Sequence, residues 1–391
     1  MSKSFRDRMK GLLGGPQSIK VGVIASRNGP MDYYGTMQIR GLELGIEYAT
    51  GGSGQVAGRP IDLLVEDDAG DPATGGQKAR ALIENEGVHI LQGCPSSAVA
   101  IVLAGIAQEY GRILLVEPAA ADSITGAHWN RYVFRTAANV SQDAEAGGRY
   151  AVEHLGQTFC FIAPDSLWGR QSTAAWKRVI EANGGQTLGE FFPPNDAATQ
   201  PPTDFAPYLQ QVLDLRPAVL VQSWAGRGNQ ALFSGMRDVG IFEVMRVTGG
   251  LGDREARHAL GTTAAGMVGI IKYSYLLPHN PINDWLTQKH TERHDEKPDL
   301  FTGGGAAAGI ALVEGLKRTA GNPDAEALIP VLEGMSFEGP KGSYTFRPAD
   351  HQALQPMYIV ELAQDPEQPW TVPQLIQEIA AGDCAPPMQI G

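Results

Sequence analysis

The amino-acid sequence predicts an α/β protein built as two doubly wound, Rossmann-like lobes joined by a three-strand hinge. Three observations carry that expectation. The 391 residues exceed what one ordinary hydrophobic core organises and suit two domains. Short apolar runs alternate with helical stretches at intervals of roughly 25 residues, the pattern of a parallel sheet covered on both faces. The same rhythm then starts afresh at Thr158.

Residues 1–18, polar and glycine-containing, are expected to form a flexible N-terminal segment ahead of an ordered body that begins at Ile19. The run Ile19 to Ala25 reads as a strand and leads through a Gly-Pro loop into a helix near Gly35 to Thr50. A second strand, Ile61 to Val65, leads into a helix from Pro72 to Glu86, with Asp71 as N-cap and Pro72 at the first helical position, where a missing N–H costs nothing. Strands follow at Val88 to Leu91 and Ile113 to Val116, with Ala98 to Tyr110 as the helix between them. From Thr158 come a strand in TFCFIAPDSLWG, a helix around Gln171 to Ala182, a strand in LGEFF, a helix from Phe205 to Leu215, and strands AVLVQSW and VMRVTGG. The proline-rich stretch Pro193 to Asp204 reads as a long loop inside the second lobe. Beyond Gly266 the pattern gives a further apolar run, MVGIIKYSY, three helical stretches between Pro281 and Leu332, and a last strand at Met357 to Leu362. Crossings between lobes are expected near Ala138, Lys272 and Phe346, so that 19–138 with 272–346 form one lobe and 139–271 with 347–391 the other.

Composition narrows the function classes. A formal net charge of -12 without any block of Lys or Arg gives a phosphate backbone no electrostatic support, so no nucleic-acid partner is expected. No uninterrupted apolar stretch reaches the length of about 18 residues that a membrane span needs, so no membrane insertion is expected. The start, MSKSFRDRMKGLLGG, lacks the apolar stretch of a secretory signal, which leaves a cytoplasmic location open beside an exported one. Cys94, Cys160 and Cys384 are too few and too scattered for a disulfide framework or a zinc cluster, although one bridge would be possible.

Several polar clusters read as scaffold. Asp67, Asp68 and Asp71 sit at a strand's carboxyl end and cap the next helix. His290 and His294 share a helix face, but Glu292 is misplaced for a zinc-protease pattern and no third ligand is evident. The Gly249-Gly250-Leu251-Gly252 turn completes neither a dinucleotide fingerprint nor a Walker loop, and no nucleophile elbow occurs. No metal, cofactor or catalytic set is therefore expected.

Ligands of a doubly wound sheet lie outside the carboxyl ends of its strands. The residues there are Tyr33, Tyr34, Ser96, Ser97, Ala119, Ala120, Ala121, Trp168, Trp224 and Gly250, largely aromatic, hydroxylated or small. Ser97 stands before a helix, either as N-cap alone or with free N–H groups that could receive a carboxylate or carbonyl oxygen. Trp168 and Trp224 are either lobe-core aromatics or cleft walls.

The ordered motifs IKVGVIASRNGPMDYYGTMQIRGLELGIE, DLLVEDDAGDPATGGQKARALI, GCPSSAVA, EPAAADSIT with RYVFRTAANVSQ, IAPDSLWGRQ and GSYTFRPADHQ span Ile19 to about Leu362. In that order and spacing they resemble the type I periplasmic solute-binding proteins of ABC transporters, the leucine/isoleucine/valine-binding receptors in particular. The resemblance implies the type I periplasmic binding fold, capture of a small molecule by hinge closure, and a permease partner that recognises the closed form. It also implies ligand contacts at Tyr34, at Ser97 for a carboxylate, at the Ala119 backbone, at Trp168 and at or beside Trp224. Ala121 replaces a threonine hydroxyl and Gly250 a glutamate that amino-acid binders of the family use for the ammonium group, and Gly70 replaces a cysteine that some of them bridge. An ammonium without a carboxylate would be a buried unpaired charge, so the expected ligand is an aromatic or other apolar organic acid, or an amide. The alternatives are a cytoplasmic ligand sensor of the same fold controlling a regulator and, less favoured, an enzyme acting in the cleft.

Overall fold

The computed structural model describes residues 17–194, 204–226, 228–252 and 254–389. Residues 1–16 and most of the proline-rich loop between Pro193 and Asp204 lie outside them.

The first lobe is organised by β1 (Ile19–Ala25), whose Ile19, Val21, Val23 and Ile24 are all buried because the strand is covered on both faces. Around it lie β2 (Gln55–Val56), β3 (Arg59–Asp67), β4 (Ile90–Gly93), β5 (Ile113–Val116) and β6 (Val133–Arg135), in the order β2-β3-β1-β4-β5-β6. All neighbours are parallel except β2 with β3, and Val21 stands opposite both Leu63 and Ile90. The helices α1 (Asp32–Ala49), α2 (Pro72–Ala81) and α3 (Ser97–Tyr110) connect the strands. Because the chain leaves β1 toward β3 and then crosses to β4, the topological switch falls between β1 and β4, where α3 begins.

The second lobe repeats the plan. Its strands β7 (Thr158–Ile162), β8 (Gln186–Phe191), β9 (Val219–Gln222) and β10 (Arg246–Gly249) run parallel in the order β10-β9-β7-β8. Here the switch lies between β7 and β9, the strands that precede Trp168 and Trp224. The lobe's helices are α4 (Val140–Tyr150), α5 (Leu167–Ala182), α6 (Ala206–Leu215), α7 (Asn229–Asp238), α8 (Ile241–Val244) and α9 (Arg254–Leu260). The chain continues through β11 (Val268–Ile271) and returns to the first lobe with α10 (Pro281–His294), α11 (Leu300–Arg318) and α12 (Ala325–Leu332). A small antiparallel sheet follows, of β12 (Ser336–Gly339), β13 (Gly342–Phe346) and β14 (Ala353–Leu354). Finally β15 (Met357–Gln364) pairs antiparallel with β11 in the second lobe and β16 (Thr371–Ile379) pairs antiparallel with β15, while β11 joins β10 through a bridge between Gly250 and Ile270.

Two differences from the sequence reading have physical causes. The third crossing comes after Leu354 rather than near Phe346, because Thr345 and Phe346 pair with Leu354 and Ala353 and keep 347–354 with the first lobe. Residues 380–389, expected in the second lobe, run back toward the first: Arg347 donates to the carbonyl of Pro386 at 2.7 Å, and Gln389 to Asp122 at 3.4 Å. The crossings are laced together, with Gln352 donating to Ala137 O, Gln355 to Thr136 O, both at 2.7 Å, and Lys272 to Ala138 O at 3.1 Å.

In the first lobe α1 and α11 lie backbone to backbone. Gly41 and Gly45 of α1 face Thr302 and Ala306, while Gly305 and Gly309 of α11 face Gln38 and Leu42. Any Cβ at Gly41 would sit 2.2 Å from the Thr302 carbonyl oxygen, so only glycine permits the approach.

Candidate functional site

The two switch points open onto one cavity of about 330 Å³ between the lobes. Of the residues singled out in the sequence, Tyr34, Ser96, Ser97, Ala120, Trp168, Trp224 and Gly250 line it, whereas Tyr33, Ala119 and Ala121 do not. The Ala119 N–H, at the position where the resemblance implied a backbone contact, is taken by the Cys94 carbonyl at 3.0 Å, and the Ala121 N–H by the Ser97 hydroxyl at 3.2 Å, so neither N–H is free for a ligand. Tyr33 instead lies beneath the Arg254 guanidinium.

The N-cap of α3 is Ser96 rather than Ser97: its hydroxyl accepts from Val99 N at 3.4 Å. Ser97 is the first helical residue. Its own N–H and that of Ala98 have no acceptor among the described residues, and both residues border the cavity. The start of α3 thus presents unpaired backbone donors and the positive end of the helix dipole to anything held there.

Aromatic side chains form the walls. Trp168 sits in the first turn of α5, whose N-cap Ser166 accepts from Gly169 N at 3.1 Å, and is half-buried against the core cluster that contains Trp176. Trp224 follows β9 and is held edge-to-face on Phe205, with ring centroids 4.9 Å apart. Tyr34 stacks on Phe301 at 3.9 Å, and its hydroxyl accepts from Gly226 N at 2.7 Å, a contact from one lobe to the other. Gly250 contributes open space, and its carbonyl accepts from Gln222 at 3.1 Å.

Four charged residues of the lining, Glu117, Asp143, Lys272 and Lys341, were not foreseen. Lys272 pairs with Asp143 at 3.1 Å. Burial raises the Asp143 carboxyl to about 6, against the pull of Lys272, and pushes Glu117 up to about 7 and Lys341 down to about 7. The absence of an acid at Gly250 therefore does not leave the cavity without carboxylates, as the sequence argument assumed. Asp143 is matched by Lys272, whereas among the described residues Glu117 accepts only from the Thr136 hydroxyl. The one signal for Glu117 and Lys272 is a charged residue at the end of an apolar run, as in ILLVE and GIIK, which does not tell a cleft from solvent, and Asp143 and Lys341 carry none.

The remaining motifs are structural. Asp68 accepts from the Ser26 hydroxyl at 2.6 Å and from Gly70 N, Asp71 caps α2 through Thr74 N, and Asp67 orders Arg27 and Asn28. His290 is buried with Nδ1 on the Glu296 carbonyl, and no group of three potential metal ligands occurs among the described residues. All three cysteines are buried free thiols. No helix among the described residues is long and apolar enough to cross a membrane.

Comparison with known proteins agrees with this architecture. The family model described as periplasmic binding protein matches residues 18–367. The crystal structure of an ABC-type branched-chain amino acid transporter protein from Rhodopseudomonas palustris CGA009 is 34% identical, superimposes with a TM-score of 0.83, and the match covers 96% of this chain and 100% of that one. A Leu/Ile/Val-binding protein homolog from Brucella melitensis is 24% identical over 84% of this chain and 87% of its own length. A solute-binding protein of an ABC transporter from Rhodopseudomonas palustris BisB5, solved with 3,4-dihydroxybenzoic acid, shares the fold with a TM-score of 0.84 at 24% identity, over 93% of this chain and 98% of that one.

Proposed function

Because this chain belongs to the periplasmic binding protein family, we propose that it is the solute-binding component of an ABC-type uptake system whose solute is an apolar, aromatic organic acid. The observation that carries the ligand class is the pairing, in one cavity, of a tryptophan from each half of the second lobe's switch point with the free N–H groups at the start of α3. A carboxylate is received at Ser97 and Ala98 with a charge-assisted hydrogen bond to each N–H, and the ring lies against Trp168 and Trp224. An α-amino acid fits less well. Its ammonium would be a third cation beside Lys272 and Lys341 against only two carboxylates, Glu117 and Asp143, and Gly250 offers no side-chain acceptor.

Binding proceeds by rotation of the two lobes about the laced crossings, which excludes water from the solute. The closed form is the one a membrane permease recognises, and ATP is hydrolysed by another subunit. The family implies a periplasmic or extracellular setting. An aromatic acid bound to another protein of this fold supports the assignment in kind.

The test is a thermal-shift panel of benzoates, aliphatic acids, amides and aliphatic amino acids, since a solute bound only by the folded state raises the melting temperature. Benzoates should give the largest shift, and Trp168→Ala should abolish most of it. Ser97→Ala should weaken it only moderately, because the backbone N–H groups survive. A shift with leucine or valine and none with any aromatic acid would overturn the ligand class.

A further inference from the structure

We propose that the cavity holds a second recognition point, at which Glu117 and Lys341 together bind a hydroxyl group of the solute, as acceptor and donor at once, apart from the site of its carboxylate. The inference rests on the organic-acid reading above and names the substituent that such an acid carries.

Lys341 occupies the turn between β12 and β13 and is 6% exposed, and what remains open faces the cavity. Its ammonium donates to Gln355 Oε1 at 2.9 Å and lies 3.7 Å from the Met357 sulfur, a poor acceptor, and 5.9 Å from the centroid of the Tyr358 ring. Among the described residues it pairs with no carboxylate, so three N–H groups share one good acceptor. Glu117, at the end of β5, is 4% exposed and takes its one side-chain hydrogen bond from the Thr136 hydroxyl at 3.1 Å. Its other oxygen lies against α11 at Gly304, where a Cβ would come within 2.1 Å, so the helix leaves room for the carboxylate. Two buried ionisable groups with unused hydrogen-bonding capacity thus border the same space as the ligand.

Charge selects what they bind. The other ions of the lining, Lys272 and Asp143, already pair with each other, and Cys384, Tyr344, Tyr358 and Tyr273 are further titratable neighbours, with Arg135 beyond Glu117. With both lysines and both carboxylates ionised the set sums to zero. A second carboxylate on the solute would satisfy Lys341 and be repelled by Glu117; an ammonium would satisfy Glu117 and be repelled by Lys341 and Lys272. A hydroxyl donates to Glu117 and accepts from Lys341 without adding charge, and so completes both. Burial holds Glu117 and Lys341 at about 7 each, so the proton can rest on either group and a hydroxyl still finds one donor and one acceptor.

The experiment is calorimetric titration of the full chain with benzoate, 4-methylbenzoate, 3- and 4-hydroxybenzoate, 3,4-dihydroxybenzoate and terephthalate, repeated on Glu117→Gln and Lys341→Met. At least one hydroxylated acid should bind about tenfold or more tighter than both benzoate and the methyl analogue, and terephthalate more weakly than that acid. In each variant the ratio of hydroxylated to unsubstituted affinity should shrink to within about threefold. Ligand-free Lys341→Met should melt no lower than wild type, because it loses a buried charge that nothing pairs, whereas a purely structural lysine would lower it. Benzoates that bind with the ratio unchanged in both variants, or a preference for the methyl or dicarboxylate analogue, overturn this assignment alone. A panel in which no benzoate binds overturns the aromatic-acid reading, and the hydroxyl assignment with it.

Discussion

Glu117 and Lys341 are where burial and ionisation oppose each other most directly, and the pH dependence of stability follows. Glu117 holds its proton up to about 7 in the folded chain against an ordinary 4.5, so its contribution is full below 4.5 and is lost as pH rises through 7. Asp143, raised to about 6, acts in the same direction over a lower window. Lys341 has the opposite sign. Its folded value of about 7 lies below the ordinary 10.5, so it destabilises the fold below pH 7 and the penalty is progressively relieved between 7 and 10.5. The ligand-free melting temperature should therefore pass through a local minimum near neutrality, each limb worth on the order of 3–5 kcal/mol. Glu117→Gln should flatten the acid limb and Lys341→Met the alkaline one; melting curves from pH 4 to 10 that stay parallel to wild type would contradict both. Glu117 was illegible in the sequence because an isolated Glu ending an apolar run looks the same whether it faces water or a cleft, and Lys341 because a Lys in a Gly-Pro-Lys-Gly turn reads as an exposed turn residue. The tryptophans and Ser96-Ser97 were legible because strand-end position places them at a switch point, although the one-residue distinction between cap and first helical residue was not.

Among the secondary-structure elements, the longer parallel strands were the easiest to read, since double-faced burial writes a continuous apolar run, whereas β6, of three residues, was too short to be read. The strand β16 was missed because its middle residues face solvent: Leu375 is 49% exposed, and the segment TVPQLIQEI mixes polar and apolar residues as an edge strand does. The contact of α1 with α11 was equally hidden, for glycines in helices carry no periodic signal. It makes a sharp expectation. Gly41→Ala or Gly305→Ala should cost about 2–3 kcal/mol by forcing the two backbones apart. Gly105→Ala in α3, with nothing within 4 Å, should instead stabilise by about 0.5–1 kcal/mol. Chemical denaturation of the three variants distinguishes a packing seam from a general intolerance of change in this lobe.

For the molecule as a whole, the repeat of one βαβ plan was visible in the sequence, while the pairing of β14 with β13 was not, because β14, of two residues, is too short to register as a strand. What no pattern could show is how the lobes meet at the cleft mouth. There Arg254 of α9 pairs with Glu296 and donates to the Lys297 carbonyl, Arg40 shares the same Glu296, and Ser123 N donates to Gln171 at 3.1 Å. Together with the Tyr34 to Gly226 bond these contacts favour the shut arrangement. Arg254→Ala should raise the radius of gyration of the ligand-free protein in solution scattering and speed solute release several-fold, on the order of 1 kcal/mol for a partly exposed charged contact. Unchanged scattering and an unchanged release rate would assign the arginine no part in closure.

The segment 380–389, which returns from β16 to Arg347 and Asp122, gives the joint a mechanical property that three crossings alone would lack. Swinging the lobes apart must stretch or detach this outer strap as well as bend the inner strands, so the joint has a restoring torque rather than free play. Part of the work of opening is stored there, and a chain cut after Ile379 would swing wider with less force.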